Sequence, residues 1–115
     1  MSQRIAERAC GRRMVRISST AQKQYLDLID YYLARGYDQA AERLNDAVDQ
    51  ARLAIGLRPL AGRDYPAVYA NLIWPNVKWV KVHRYWFAYT TDGDPIIFNI
   101  LWDSAEIPGR AEPPS

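Results

Sequence analysis

The chain contains a single cysteine, Cys10, and a single histidine, His83. One cysteine excludes an internal disulfide, and so few ligands exclude both a cysteine-based and a histidine-rich zinc site. No stretch reaches the roughly 18–20 apolar residues of a membrane-spanning helix, and the N-terminus lacks the apolar segment of a secretory signal. We therefore expect a cytoplasmic protein with no metal and no cofactor.

Net charge is nearly absent as well, since the formal charge is +2 over 115 residues. The basic residues are nevertheless unevenly distributed, and residues 1–13 contain four arginines against one glutamate. A second basic set lies among the aromatic residues of the C-terminal half: Lys78, Lys81, His83 and Arg84. Such a set suits a nucleic acid or an acidic protein partner, but it equally suits a solvated sheet face.

The length and the hydrophobic fraction of 49% are those of one globular domain. We place this domain at residues 14–109. Residues 1–13 show no clean period and are interpreted as a flexible basic extension. Residues 110–115 include Pro113-Pro114 and are interpreted as a frayed tail.

Two amphipathic helices are predicted in the first half of the domain. Ser19 and Gln22 resemble a capping box, Gly36 supplies a left-handed stop, and Asp38 can cap the second helix. The two apolar stripes comprise Ala21, Tyr25, Leu28, Ile29 and Tyr32, and then Ala41, Leu44, Val48, Ala51 and Ile55. Their helical spacing and the short connection predict an antiparallel helical hairpin that packs on a sheet.

A period of two dominates the C-terminal half and predicts strands at residues 77–82, 85–91 and 96–102. His83-Arg84 would form a tight turn, and Asp92-Gly93 is a strong hairpin signal. Residues 14–18 alternate like a short first strand, whereas residues 68–74 fit either a strand or an irregular connection. The predicted order is β-α-α-β-β-β.

Both faces of the predicted middle strand are apolar. Tyr85, Phe87 and Tyr89 share one face, while Trp86 and Ala88 share the other. The helical hairpin can cover one face, so something else, with a partner chain as one candidate, must cover the other. The fold class is α+β: an N-terminal strand and an antiparallel helical hairpin packed on a three- to four-stranded antiparallel sheet.

A series of short motifs follows this pattern along residues 14–108. The helical half contributes Ala21, Leu26-Asp27-Leu28-Ile29, Tyr32, Ala40-Ala41, Pro59 and Gly62. The strands contribute Lys78, Trp79, Val80, Lys81, Val82, Tyr85, Phe87, Tyr89, Ile96–Leu101, Trp102, Glu106, Ile107 and Pro108. In this order the motifs resemble the RelE/ParE toxin superfamily of type II toxin–antitoxin systems, and in particular its ParE-like branch.

The resemblance implies a toxin that a cognate antitoxin, ParD-like or of another type, neutralises in a hetero-oligomeric complex. For the ParE-like branch it implies plasmid stabilisation and inhibition of DNA gyrase by binding. The partner-binding candidates are Trp79, Lys81, Arg84, Trp86 and Trp102, since aromatic residues and arginine dominate interface hot spots. The tryptophans equally suit a core, and we expect about half of the four to be buried there.

Departures from the family pattern bear on the mechanism. RelE-type relatives cut messenger RNA with basic residues, but the arginine after the middle-strand tyrosine is Trp86 here. The closing-strand histidine is Trp102, and its nearby arginine is Ala105. An indole cannot stabilise a pentacovalent phosphate as a cation does. We therefore expect no catalytic residues, and an inhibitor rather than an enzyme.

Two alternatives stay open. The first is an endoribonuclease of the RelE type, for which Lys81, His83, Arg84 and Tyr89 form a weak candidate site. The second is a binding module that retains the toxin fold but has lost toxicity. Direct binding of nucleic acid also stays open.

The interpretation of residues 1–13 as an extension leads to a test. A chain that starts at Met14 should keep its fold, with a melting temperature within a few degrees of the full chain, because surface and terminal changes usually alter stability little. Thermal unfolding followed by circular dichroism measures this. A large loss of stability would show that a structural element had been removed.

Overall fold

The computed structural model describes residues 14–66, 68–104 and 106–114, so the predicted extension 1–13 lies outside the described residues. The elements in chain order are β1 (Arg16–Ile17), α1 (Ser19–Ala34), α2 (Asp38–Leu57), β2 (Val77–Val82), β3 (Tyr85–Thr90), β4 (Ile96–Trp102) and α3 (Ile107–Arg110). Two short 3-10 helices, Pro59–Ala61 and Ala70–Leu72, lie between α2 and β2. The predicted α+β class and the order β-α-α-β-β-β are confirmed, with α3 added at the end.

The ends of the two long helices depend on a few residues. The cap of α1 is Ser18, one residue before the predicted Ser19, and its hydroxyl accepts a hydrogen bond from Ala21 N at 3.1 Å. Gly36 adopts the left-handed conformation with φ +71° after α1, as predicted. The prediction that Asp38 caps α2 is wrong, because Asp38 lies in the first turn and no side chain caps the helix. Its negative charge there still interacts favourably with the helix dipole.

Both predicted apolar stripes face the sheet. On α1, Ala21 and Tyr32 are buried, and on α2 all five residues from Ala41 to Ile55 in the stripe are buried. They pack against the face of β3 that carries Tyr85, Phe87 and Tyr89, and together these residues form the first core. The helical hairpin therefore covers one side of the sheet, and burial of these side chains drives its packing.

The sheet has the strand order β1-β4-β3-β2. Strand β3 pairs antiparallel with both β2 and β4, as predicted. Strand β1 pairs in parallel with the start of β4, through Arg16 with Ile96 and Ile17 with Ile97. The sheet is thus mixed rather than wholly antiparallel. No hairpin turn joins β1 to β4, so no local signal in the sequence determines their relative direction.

The second face of the sheet is covered by the chain itself. Trp79, Trp86, Ala88, Phe98 and Leu101 form a second core there, and they pack against Leu72, Trp74 and Ile107. Two segments cover this face: the connection before β2, and α3. The connection contains the 3-10 helix Ala70–Leu72, and residues 68–74 form no strand. A partner chain is not required to bury this face.

Close backbone contact occurs where the connection meets β2. Arg63 and Trp79 exchange two backbone hydrogen bonds, 2.7 and 2.6 Å long. Gly62 lies directly before this bridge, and a Cβ atom on it would come within 2.5 Å of Tyr89 Oη and 2.9 Å of Trp79 O. The position therefore requires glycine for space.

Gly62→Ala should destabilise the fold by about 1–3 kcal/mol, the usual cost of overpacking, because a backbone oxygen cannot move aside. Urea unfolding gives the free energy of unfolding. Gly109→Ala is the matched control, since a Cβ atom there meets nothing within 4 Å and alanine favours the helix. Equal stabilities of the two variants would contradict the expected role of Gly62.

Candidate functional site

An open groove of about 1430 Å³ lies between the helical hairpin and the ends of β3 and β4. We refer to it as the groove. One wall comes from α1 and the start of α2, the floor from the ends of β3 and β4, and the remaining wall from the turn before β3 and the segment after β4. Side chains that represent these parts are Gln24, Tyr31, Tyr37, Arg43, His83, Arg84, Trp102, Glu106, Arg110 and Glu112.

Three aromatic side chains in the groove remain substantially exposed. The exposed fractions are 49% for Tyr31, 52% for Tyr37 and 40% for Trp102. The Trp102 ring packs edge-on against Tyr85, with ring centroids 5.5 Å apart. The Arg84 guanidinium lies over the Trp102 ring at 5.8 Å. Amphipathic rings and arginine in a concave surface are typical of a protein-binding site.

The charges of the groove are unequally paired. Two of the carboxylates on its walls have cationic partners, Asp27 with Lys23 and Glu106 with Arg110, and Asp46 Oδ2 lies 2.8 Å from His83 Nε2. Among the described residues, Arg43 and Arg84 have no carboxylate partner. The groove therefore offers two free guanidinium groups, which would attract an acidic group of a ligand.

His83 occupies the turn between β2 and β3 in a left-handed conformation with φ +56°. Its Nε2 lies 2.8 Å from Asp46 Oδ2 on α2, and Gln50 donates to the same carboxylate oxygen at 2.6 Å. The imidazole is 42% exposed. The contact ties the predicted turn to α2 and orients the imidazole at the rim of the groove, beside Arg84.

The tyrosine hydroxyls of β3 form hydrogen bonds within the fold. Tyr85 Oη lies 2.5 Å from Tyr32 Oη in the first core. Burial, reinforced by this hydrogen bond, raises the pKa of Tyr85 far above the ordinary range. Tyr89 donates to Pro59 O at 2.7 Å, and burial raises its pKa as well. Both hydroxyls stay protonated at neutral pH and cannot act as bases.

The tryptophans predicted as partner contacts divide into two groups. Trp79 is fully buried and Trp86 is 3% exposed, so both belong to the second core. Trp102 remains at the surface with Lys81 and Arg84. Alternation along a strand that is apolar on both faces does not distinguish a covered face from an open one, so the sequence could not separate the two groups.

Trp86 also takes part in a polar cluster at the edge of the second core. Its indole Nε1 donates to Asp103 Oδ1 at 3.0 Å, and Lys81 Nζ lies 2.7 Å from Asp103 Oδ2. The Lys81 ammonium, followed by the Trp86 indole, holds the pKa of Asp103 below its ordinary value. Trp86 thus fills the arginine position with a buried group that stabilises the fold. Of the other two departures, Trp102 is 40% exposed in the groove and Ala105 lies outside the described residues.

Sequence reasoning missed a polar network at the far end of the groove. Asn99 is the buried polar residue of β4, and its amide donates to Glu112 O at 2.8 Å and accepts from Glu112 N at 3.1 Å. Gln24 donates to Asn99 Oδ1 at 3.0 Å and accepts from Ile100 N at 2.7 Å. The signal was one asparagine in an otherwise apolar strand. Its partners are distant in sequence, and Glu112 lies in the tail expected to be frayed.

The groove is equipped for binding more clearly than for catalysis. It combines exposed rings with two guanidinium groups, whereas the hydroxyls of Tyr85 and Tyr89 are bonded inside the fold. No cluster of His, Cys, Asp and Glu that could hold a metal ion occurs in the described parts of the chain. Within the same residues, no helix is both long and apolar enough to cross a membrane.

Comparison with known families gives one match. A family model described as the ParE toxin of type II toxin–antitoxin systems, parDE, matches residues 15–107. The match covers every helix and strand described above from β1 to β4. A search of curated proteins found none that matches the chain.

The Asp103 cluster leads to an expected pH dependence. Because the folded-state pKa of Asp103 is lowered, its stabilising effect is present above the ordinary value of 3.8 and is lost as the pH falls through the folded-state value. Asp103→Asn should therefore lower the melting temperature at pH 7 by about 1–4 °C, as expected for a partly exposed ion pair. The difference from the unmodified chain should shrink toward pH 3.

Differential scanning calorimetry at pH 7 and pH 3 measures this effect. Asp49→Asn is the control, because Asp49 is exposed on α2 and makes no ion pair with any described residue. Its effect should be the same at both pH values. A defect of Asp103→Asn that persists unchanged at pH 3 would contradict the assignment to the carboxylate charge.

Proposed function

The chain belongs to the ParE toxin family of type II toxin–antitoxin systems, and we propose that it acts by binding and inhibiting DNA gyrase, not by cutting RNA. One observation carries the proposal: the residue in place of the RelE-type arginine, Trp86, is buried and hydrogen-bonded to Asp103. No cation reaches the groove from that position. The family membership supplies the toxin class, and the site argues for binding as its mode of action.

The other groups near the groove support the same proposal. Cleavage of RNA requires a base for the ribose hydroxyl, a cation for the phosphate and an acid for the leaving oxygen. Tyr85 and Tyr89 have raised pKa values and internal partners, so neither is a base. The exposed rings of Tyr31, Tyr37 and Trp102 instead favour contact with a protein surface.

The groove also suits the antitoxin partner that a type II toxin requires. Arg43 and Arg84 would pair with acidic side chains, and Trp102 would be covered by an apolar one. We therefore place an acidic and amphipathic segment of the antitoxin in the groove, bound as a helix or as an extended peptide. Burial of two unpaired guanidinium groups against carboxylates would add both orientation and affinity.

A second candidate, an endoribonuclease, is favoured by one specific observation. His83 is oriented by Asp46 at 2.8 Å, and Arg84 follows it in sequence at the rim of the groove. An imidazole oriented by a carboxylate can act as a general base or acid, and a neighbouring arginine can stabilise a phosphate. The same pair, however, also holds the β2–β3 turn on α2, which is a sufficient structural reason for it.

Parallel assays of the purified toxin on DNA gyrase and on messenger RNA distinguish the gyrase inhibitor from the endoribonuclease. We expect inhibition of gyrase supercoiling with accumulation of cleaved DNA, and intact messenger RNA in a translation extract. Degraded messenger RNA with unaffected gyrase would overturn the proposal. Overexpression without antitoxin that leaves cells unharmed would overturn it too, and would favour a binding module that has lost toxicity.

The variant His83→Asn sharpens this prediction, because asparagine tolerates the left-handed turn while the imidazole is removed. We expect toxicity in cells to be retained, along with gyrase inhibition. The ribonuclease candidate predicts that toxicity is lost while the melting temperature and the antitoxin affinity are unchanged. Both controls are measured on the same protein preparation.

A further inference from the structure

The chain after α3 is hydrogen-bonded to the sheet through the side chain of Asn99. We refer to residues 111–114 as the strap, and to the hydrogen-bonded set of Gln24, Asn99 and Glu112 as the latch. The Asn99 amide bonds both the N–H and the C=O of Glu112, as a neighbouring β-strand would. In the rest of the strap, Ala111 packs against the second core and both prolines are exposed.

A β-bulge in β4 lies next to Asn99. The pairing of β3 with β4 shifts from Ala88 with Asn99 to Tyr89 with Ile97, which leaves Phe98 as the extra residue. A bulge rotates the side chains on either side of it, so Ile97 and Ile100 enter the first core while Phe98 and Leu101 enter the second. Asn99 lies between them in sequence, and its side chain bonds Gln24 and Glu112.

That edge is largely unpaired by strands. Strand β1 pairs only with Ile96 and Ile97. Further along, Ile100 N is satisfied by the side chain of Gln24 instead of a strand carbonyl. The strap cannot replace the missing strand beyond Glu112, because Pro113 and Pro114 have no backbone N–H to donate. Side-chain amides therefore close an edge that would otherwise be open to pairing.

The latch lies at one end of the groove. Gln24 on α1 and Glu112 after α3 both line the groove, and both bond the same Asn99 Oδ1 atom. Asn99 connects them, since Gln24 donates to its Oδ1 and its own amide bonds Glu112. At this end of the groove, α1 and the strap are therefore joined by hydrogen bonds through the Asn99 side chain, not by a backbone ladder.

We propose that the latch is a gate at this end of the groove, and that the antitoxin segment opens it by separating Glu112 from Asn99 when it fills the groove. This inference rests on the proposed role of the groove as the antitoxin site. The two hydrogen bonds to Glu112 keep the free toxin closed for most of the time. Association then passes through the open form, so its rate constant is that of the open form multiplied by the fraction of time that the latch is open.

Two truncations of the full chain test the gate as a matched pair. Removal of residues 112–115 deletes the partner of Asn99, whereas removal of residues 113–115 retains it. Both variants keep α3 and Ala111, and their melting temperatures are compared first. The association rate constant with the purified cognate antitoxin is then measured by stopped-flow tryptophan fluorescence at one fixed ionic strength.

We expect the variant without Glu112 to associate about tenfold faster than the variant that retains it, in line with two ordinary hydrogen bonds. Equal rates would overturn the gate. Amide hydrogen exchange of the full chain provides an independent result. The Glu112 amide should be protected in the free toxin and lose that protection in the complex, and protection that persists in the complex would also overturn the proposal.

The groove itself is tested separately by Arg43→Ala, which lies on α2 away from the latch. It should weaken antitoxin binding in both truncations alike, and unchanged binding would show that the groove is not the antitoxin site. None of these measurements involves gyrase. Failure of the gate is therefore distinguishable from failure of the proposed mode of action.

Discussion

Strand β3 is buried on both faces, and the rest of the fold follows from the need to cover each of them. Five of its six residues are buried, and successive side chains enter opposite cores. One strand with two apolar faces requires two separate layers. The helical hairpin forms the first layer. The second is an irregular segment with Leu72 and Trp74, closed at its end by Ile107 of α3.

Much of this arrangement could be predicted from periodicity, and the failures have a common cause. The stripes of α1 and α2, the turn at His83 and the hairpin at Gly93 are local signals, and the structure contains them all. The parallel pairing of β1 and the cover of the second face depend on contacts between distant segments. The same holds for the site. Trp79 and Trp102 look alike in a strand pattern, but only Trp102 remains exposed.

Double burial also determines what the groove can do. A residue on β3 serves one of the two cores, so Tyr85, Trp86 and Tyr89 have their polar atoms bonded inside the chain. The two hydroxyls and the indole N–H on β3 are therefore satisfied within the fold and do not face the groove unpaired. What reaches the groove comes from the ends of elements, namely Arg84 and Trp102, together with Arg43 and the tyrosines of the helical hairpin. Arginine and large aromatic side chains of this kind are typical of protein–protein interfaces.

The single extra residue of the β4 bulge links the core to this surface. Without the bulge, Phe98 would pair with Tyr89 and share the face of the first core, whereas it lies in the second. The buried amide of Asn99 connects α1 to the strap, and Ile107 of α3 packs into the second core. Ile107 and Glu112 belong to one terminal segment but are held by different means, one by apolar burial and the other by two hydrogen bonds. The strap can therefore move at Glu112 while the second core stays closed, so that a change at the groove need not unfold the sheet beneath it.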